Sequence, residues 1–251
     1  MVMIPLLGLL AGSFANVVIY RWPRGEEWVI NPSHCPYCLV KLKWHDLVPL
    51  LSWVLLRGKC RHCQQPIGFI YPVVEMATAL LWLVCFLRLG LTPFLPVMLA
   101  ITTALLIMAF IDAKTKEIPD GIQWFLLGIG IIWNIYAAKA GYNVFQENFF
   151  GLFAVSVPLF FIAVLSRGGM GGGDIKLMAV CGFIIGWELI FLALALASII
   201  GTALMLPRYL LRRDEASRIV PFGPFLAVGI FLSAVWGRDW IDLYKTAFLM
   251  G

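Results

Sequence analysis

Two aspartates lie beside long apolar runs, and together they could hydrolyse a peptide bond. Asp112 follows Phe110-Ile111 at the end of one run, and Asp174 stands between three glycines and the next run. An unpaired carboxylate near a bilayer is costly, so each needs a reason to be there. If the fold brings them together, they share a proton: the ionised partner activates a water and the protonated one polarises the scissile carbonyl.

Helix capping is the simpler explanation for some of these acids. Asp120 follows Pro119 and precedes an apolar run, which favours an N-cap role, and Asp174 could cap as well as catalyse. Asp112 is expected at the C-terminal end of its helix, where the macrodipole disfavours an anion, so capping does not explain it. Glu75 is expected in the first turn of a helix, where its charge suits the dipole, and it could also face a ligand.

Four cysteines form a second candidate site. Cys35 and Cys38 make one CxxC pair, and Cys60 and Cys63 make another after 21 intervening residues. Each pair brings two thiolates to one tetrahedral ion, so the two pairs predict a four-sulfur zinc site. The spacing is one residue longer than is usual in zinc ribbons. Two disulfides are the alternative, and they would require an oxidising compartment.

Other histidines and cysteines need no chemical role. His34 and His62 flank the CxxC pairs and could replace a sulfur, but four cysteines suffice, so solvent-facing histidines are expected. Cys85 and Cys181 lie in apolar runs and are expected to be small core residues. The sequence contains no P-loop and no G-x-G-x-x-G motif.

The composition places these residues in a membrane protein. Of the 251 residues, 61% are hydrophobic and 13% charged, against roughly 25% charged in soluble domains. This excludes a soluble enzyme, a disordered protein and a fibrous one. A bilayer-spanning helix needs about 20 apolar residues, and about eight such runs occur. They fall at 2–20, 70–87, 94–111, 121–138, 148–166, 175–187, 188–206 and 222–237, with a break at Gly186-Trp187-Glu188.

The basic residues predict the orientation of the chain. With the amino terminus outside, the segments 21–69, 112–120, 167–176 and 207–220 are cytoplasmic and contain 15 of the 19 Lys and Arg residues. This asymmetry explains the net charge of +5 without nucleic acid as a partner. It also places the cysteines in a reducing compartment and both aspartates at the cytoplasmic ends of helices.

The expected fold is an all-α polytopic membrane protein with about eight transmembrane helices and a small zinc-ribbon-like module between the first two. Residues 1–20 form the first transmembrane helix, 21–69 the cytoplasmic four-cysteine module, and 70–251 the transmembrane catalytic domain. The lipid bilayer is therefore an expected partner, whereas the oligomeric state is not predicted.

Several motifs spread over the chain resemble those of the bacterial type IV prepilin peptidase family. The family comprises bifunctional leader peptidases and N-methyltransferases. The matching segments are Gly12–Arg21, Asn31–Cys38, Arg57–Cys60 with Cys63, Tyr71–Glu75, Ile111-Asp112 with Ile118–Asp120, Gly169–Leu177 and Pro221–Pro224.

The resemblance implies an intramembrane aspartyl protease of the GxGD type, with Asp112 and Asp174 as the catalytic pair. Its substrates would be type IV prepilins or pseudopilins, cut between a basic leader and a hydrophobic helix at the cytoplasmic face of the bacterial inner membrane. The new amino terminus would then be methylated with S-adenosylmethionine. The cysteine module is associated with this second activity, with Gly58, Lys59 and Glu75 as candidate cofactor-binding residues.

Two other classes of protein share some of these features. A proton-coupled transporter also has membrane acids near glycine-interrupted helices, but its acids are expected near the midplane. A membrane scaffold would use the zinc module to bind partners and the acids only as caps, and Asp112 argues against it.

Overall fold

The computed structural model describes residues 2–29, 31–166, 171–211 and 221–248. In these ranges the regular structure is helical, and the extended pairing is confined to two isolated bridges, His34 with Lys41 and Lys59 with Pro66. The motif residues Gly169 and Met170 lie outside the described ranges. The helices are α1 (Met3–Arg21), α2 (Leu51–Leu55), α3 (Ile70–Leu89), α4 (Leu95–Thr115), α5 (Asp120–Lys139), α6 (Phe145–Ala154), α7 (Ser156–Leu165), α8 (Gly172–Ile185), α9 (Trp187–Leu211) and α10 (Gly223–Phe248).

The all-helical membrane fold predicted from composition is confirmed. Every predicted apolar run is a helix, and the run at 148–166 is the pair α6 and α7. Six stretches of the described chain are long and apolar enough to cross a bilayer: Met3–Arg24, Ile70–Leu89, Leu95–Thr115, Asp120–Lys139, Phe145–Leu165 and Trp187–Pro207. Helix α8 has 14 residues and is not among them. The expected break is also present, because Gly186 adopts φ +90° between α8 and α9.

The chain divides into two units, Met1–Ile107 and Met108–Gly251. In the first unit, α1 packs along α3, and two glycines permit the close approach. A Cβ atom at Gly8 would lie 2.8 Å from the Cα of Ala79, and one at Gly12 would lie 2.7 Å from the Cα of Glu75. Small residues in this way bring membrane helices into backbone contact.

In the second unit, α8 packs against α5, α6, α7, α9 and α10. Gly151 of α6 and Gly182 of α8 meet so closely that a Cβ on either would overlap the carbonyl oxygen of the other. Beside this crossing, the side-chain amide of the buried Asn134 donates a hydrogen bond of 3.0 Å to the carbonyl of Phe183. The same amide accepts a hydrogen bond of 3.0 Å from the side chain of Asn148. These contacts fix the C-terminal half of α8, and therefore where its first turn lies.

The capping roles expected of two aspartates are wrong. Pro119 is the N-cap residue of α5, and Asp120 is the first residue inside the helix. The Asp120 carboxylate instead pairs with Lys176, with 2.8 Å between Oδ1 and Nζ. Helix α8 begins after Gly171, so Asp174 lies in its first turn and not at the cap position. Among the described residues, no side chain makes a capping hydrogen bond to the start of either helix.

The position expected for Glu75 is also wrong. Helix α3 begins at Ile70, and Glu75 is its sixth residue, in the second turn. The helix can begin ahead of Pro72 because a proline in the first turn lacks an N–H that would have no intrahelical partner.

Candidate active site and metal centre

Asp112 is a buried carboxylate held by the backbone of a distant helix. It lies in the last turn of α4 with 5% of its surface exposed. Its Oδ2 accepts a hydrogen bond of 3.0 Å from the N–H of Gly223, the first residue of α10. A Cβ at Gly223 would lie 2.7 Å from this oxygen, so the contact requires glycine. A backbone donor stabilises the ionised form of a carboxylate.

The surroundings of Asp174 favour the protonated form of its carboxyl. The residue is half-buried in the first turn of α8, outside the six candidate spans. Burial raises the pKa of its carboxyl to about 6, and the negative charge of Asp112 adds to this increase. The fold therefore brings the two predicted aspartates into electrostatic contact, with different surroundings for each. Such a pair holds one proton over a range of pH.

Three contacts join the start of α5 to the start of α8 and fix the backbone around Asp174. The side-chain amide of the buried Gln123 donates a hydrogen bond of 3.2 Å to the carbonyl of Gly173. Ile118 packs so closely on Gly173 that a Cβ there would lie 2.9 Å from the Ile118 Cβ. The ion pair between Asp120 and Lys176 links the same two helix ends.

The sequence alone does not reveal the contacts of Gly223 and Gln123. Gly223 lies in one of the family-like motifs, but a backbone N–H carries no residue signal and its partner is 111 positions away. Gln123 carries no distinctive signal, because one polar residue in a largely apolar helix is common and does not reveal its partner. Only the packing of α5 against α8 identifies it.

The four predicted metal ligands form one cluster. The sulfur atoms of Cys35, Cys38, Cys60 and Cys63 all lie within 4.8 Å of one another. The Cys35 and Cys63 sulfurs are 3.8 Å apart, and all four residues are free thiols. A tetrahedron with metal–sulfur bonds of about 2.3 Å has edges of about 3.8 Å, so the cluster fits zinc. Neither flanking histidine belongs to it.

The two CxxC segments adopt the same backbone conformation. In the first, the N–H of Cys35 bonds to Val40 O at 3.0 Å, and Leu39 adopts φ +57°. In the second, the N–H of Cys60 bonds to Gln65 O at 2.9 Å, and Gln64 adopts φ +58°. The repeated turn aims both pairs of sulfurs at one point.

Backbone donors also prepare a thiolate. The N–H of Cys63, followed by that of His62, lowers the pKa of the Cys60 thiol to about 7. Metal ions bind the deprotonated sulfur, so this arrangement favours a ligand. His34 lies to one side, with its Nδ1 3.4 Å from Nη2 of the buried Arg21.

The candidate cofactor-binding residues occupy two places. Gly58 is buried at φ +67°, and a Cβ there would lie 2.9 Å from the ring of Trp53. Lys59 follows it with an exposed side chain. Glu75 is buried on α3, where its Oε2 accepts a hydrogen bond of 2.7 Å from the N–H of Leu50. In the part of the chain that the structure describes, no hydrogen bond or ion pair joins Glu75 to Lys59.

Both halves of the chain match known families. Residues 6–89 match the bacterial peptidase A24 N-terminal domain, and residues 99–206 match the type IV leader peptidase family. The chain is 36% identical over 257 residues to a prepilin leader peptidase/N-methyltransferase of Pseudomonas aeruginosa, which covers 92% of this chain and 89% of that protein.

Two further relatives have the same description. A protein of Aeromonas hydrophila is 33% identical over 279 residues, covering 97% of this chain and 93% of that protein. A protein of Bacillus subtilis is 31% identical over 246 residues, covering 95% of each chain. No solved structure gives a significant match.

Proposed function

Because the chain belongs to the type IV leader peptidase family, we propose that it cleaves the leader from type IV prepilins or pseudopilins and then N-methylates the new amino-terminal residue. The observation that carries the proposal is the pair of interacting carboxyls: the buried Asp112, which accepts a hydrogen bond from the Gly223 N–H, and the half-buried Asp174, whose pKa is raised. Their roles follow from those surroundings.

Asp112 is the general base and Asp174 the general acid. Ionised Asp112 takes a proton from a water molecule, whose oxygen attacks the scissile carbonyl carbon, while the Asp174 proton is donated to the carbonyl oxygen. The tetrahedral intermediate collapses when its C–N bond breaks. The leaving nitrogen takes the proton that Asp112 received, and the proton on the intermediate's hydroxyl returns to Asp174. The pair ends in its starting protonation state.

The distribution of charge supports a site at the cytoplasmic face of the bacterial inner membrane. Asp112 is in the last turn of a candidate span and Asp174 in the first turn of its helix, so both lie at helix ends. A prepilin can then place its hydrophobic helix among the spans while its basic leader stays in the cytoplasm, where the positive-inside rule puts most Lys and Arg.

The four cysteines would hold a structural zinc ion. Their sulfur geometry and the backbone donors to Cys60 suit a tetrahedral thiolate site. When bound, zinc would cross-link two turns that belong to different parts of the segment 21–69. We expect this segment to act as a methyltransferase module between the first transmembrane helix at 1–20 and the peptidase domain at 70–251.

S-adenosylmethionine, when bound, supplies the methyl group for the second reaction. Gly58 and Lys59 adjoin the cysteine cluster, and the exposed Lys59 side chain can reach a ligand. The Glu75 carboxylate already accepts the Leu50 N–H, so it would contribute by holding the module in place. Lys59→Ala is expected to lower methylation of a pre-cleaved pilin and to leave cleavage of the prepilin unchanged.

The cleavage proposal is tested with Asp112→Ala and Asp174→Ala in purified, reconstituted protein given a prepilin and S-adenosylmethionine. Mass spectrometry of the pilin amino terminus reports cleavage and methylation together. Each variant is expected to lose cleavage while still methylating a pre-cleaved pilin, which shows that it is folded. Asp242→Ala, an exposed acid on α10, is the matched control. Full cleavage by either active-site variant would refute the assigned pair.

A further inference from the structure

Helix α2 carries an apolar face that no described residue of its own unit covers. The side chains of Leu51, Val54 and Leu55 are 59%, 64% and 74% exposed. Their spacing of three and four residues puts them on one side of the helix, which we call the outer face of α2. Three large apolar side chains grouped on one short helix mark a contact surface.

The attachment of α2 fixes its depth relative to the membrane. The N–H of Leu50, directly before α2, donates a hydrogen bond of 2.7 Å to the Glu75 carboxylate. Glu75 is the sixth residue of α3, so it lies about 8 Å along the helix axis from Ile70. Helix α3 has 20 residues, a length of about 30 Å, which matches the hydrocarbon thickness of a bilayer. The start of α2 therefore lies level with the second turn of a membrane span.

Other contacts hold α2 in this position. The Trp53 indole N–H donates a hydrogen bond of 3.2 Å to the carbonyl of Ile67. The Trp53 ring also packs edge-on against the Phe69 ring, with 5.6 Å between the ring centroids. Both partners belong to the short link that leads into α3. Leu50 itself adopts φ +59°, a conformation that a non-glycine residue keeps only where its surroundings enforce it. The Glu75 bond is one such constraint.

The surrounding charge also suits a lipid surface. The segment 41–61 contains five Lys or Arg residues and one acid. Phe69, the N-cap residue of α3, is 67% exposed and extends the apolar surface from α2 towards the span. Apolar side chains beside basic ones, at a depth of about 5–10 Å, are typical of helices that lie in the membrane interface.

We propose that α2 lies in the membrane interface, with Leu51, Val54 and Leu55 among the lipid acyl chains. The cysteine module is thereby held against the bilayer surface and does not swing on flexible links. The occupant of the outer face of α2 is lipid. This contact is independent of the peptidase and methyltransferase chemistry, and it concerns how the module is attached.

Photo-cross-linking of the full chain tests this contact. p-Benzoyl-phenylalanine is placed at Leu55, and separately at Leu51, in protein reconstituted into nanodiscs of phosphatidylethanolamine and phosphatidylglycerol. After irradiation, mass spectrometry identifies what each site has captured. Leu10, which is 57% exposed on the span α1, is the lipid-facing control, and the exposed Gln65 on the second cysteine turn is the water-facing one. Retained prepilin cleavage shows that each variant is folded.

Lipid adducts at Leu55 and Leu51 comparable with those at Leu10, and scarce at Gln65, are the expected result. Adducts with protein only, or no adducts at Leu55 and Leu51 while Leu10 captures lipid, would overturn the proposal. Equal lipid capture at Gln65 and Leu55 would also overturn it, because the outer face of α2 would then not be distinct.

Discussion

Replacing Gly223 with alanine tests the role of its N–H in the active site. A Cβ at this position would lie 2.7 Å from Oδ2 of Asp112 and 3.0 Å from its Cγ. Contacts this short force the carboxylate to turn away, and the hydrogen bond of 3.0 Å is then lost or lengthened. The variant removes a hydrogen-bond donor from the Asp112 carboxylate without changing either aspartate.

The expected loss follows from the strength of that bond. A hydrogen bond to a charged group contributes about 1.5–3 kcal/mol. Because the bond stabilises the ionised Asp112 that takes the proton from the attacking water, its loss should slow cleavage by about 10-fold to about 150-fold. The turnover rate should fall with little change in KM, because the N–H contacts the base and not the substrate.

The assay is prepilin cleavage by reconstituted enzyme over a range of pH. Gly128→Ala is the matched control, since a Cβ at Gly128 meets no atom within 4 Å. Only Gly223→Ala loses the donor to Asp112, so only this variant should cleave more slowly at every pH tested. A variant that is folded and cleaves at the wild-type rate over this range of pH would refute the role of the Gly223 N–H.

Three further results are expected. The Asp174 carboxyl, with a pKa of about 6, holds its proton below that pH and releases it above, so cleavage should fall as the pH rises beyond about 6; a rate that keeps rising through that range would contradict its role as the acid. Gln123→Leu removes a buried hydrogen bond worth about 1 kcal/mol and should slow cleavage about 5-fold, whereas unchanged kinetics would exclude a positioning role. Replacing Cys35 and Cys38 by serine should remove the zinc, measured by elemental analysis, together with methylation but not cleavage; metal retained in the variant would disprove the site.

The helices were predictable because the bilayer imposes their length and composition. An apolar run of about 20 residues has few alternatives to a helix in lipid, and a glycine between two such runs marks a break. Gly186 illustrates this, since it separates α8 from α9 where the sequence indicates. The cysteine cluster was predictable for a similar reason, because two CxxC pairs have a chemistry that few other arrangements share.

Pairwise contacts were not predictable to the same degree. The sequence around Asp120 favours a helix cap at that residue. In the fold, Pro119 occupies the cap position, and the Asp120 carboxylate pairs with Lys176 of another helix. The donor to Asp112 is a backbone group 111 positions away, and it has no sequence signature apart from a glycine. Local patterns predict what a segment forms by itself, whereas these contacts depend on how helices pack.

By helix position alone, Asp112 is a less favourable place for a negative charge than Asp174. It lies in the last turn of α4, where the helix dipole opposes a negative charge, and Asp174 lies in the first turn of α8, where the dipole supports one. The dipoles alone would put the proton on Asp112. The first residue of α10 opposes this preference, because the N–H of Gly223 belongs to the positive end of that helix and donates a hydrogen bond to the Asp112 carboxylate. Burial and the charge of Asp112 both raise the pKa of the Asp174 carboxyl, which favours the proton there.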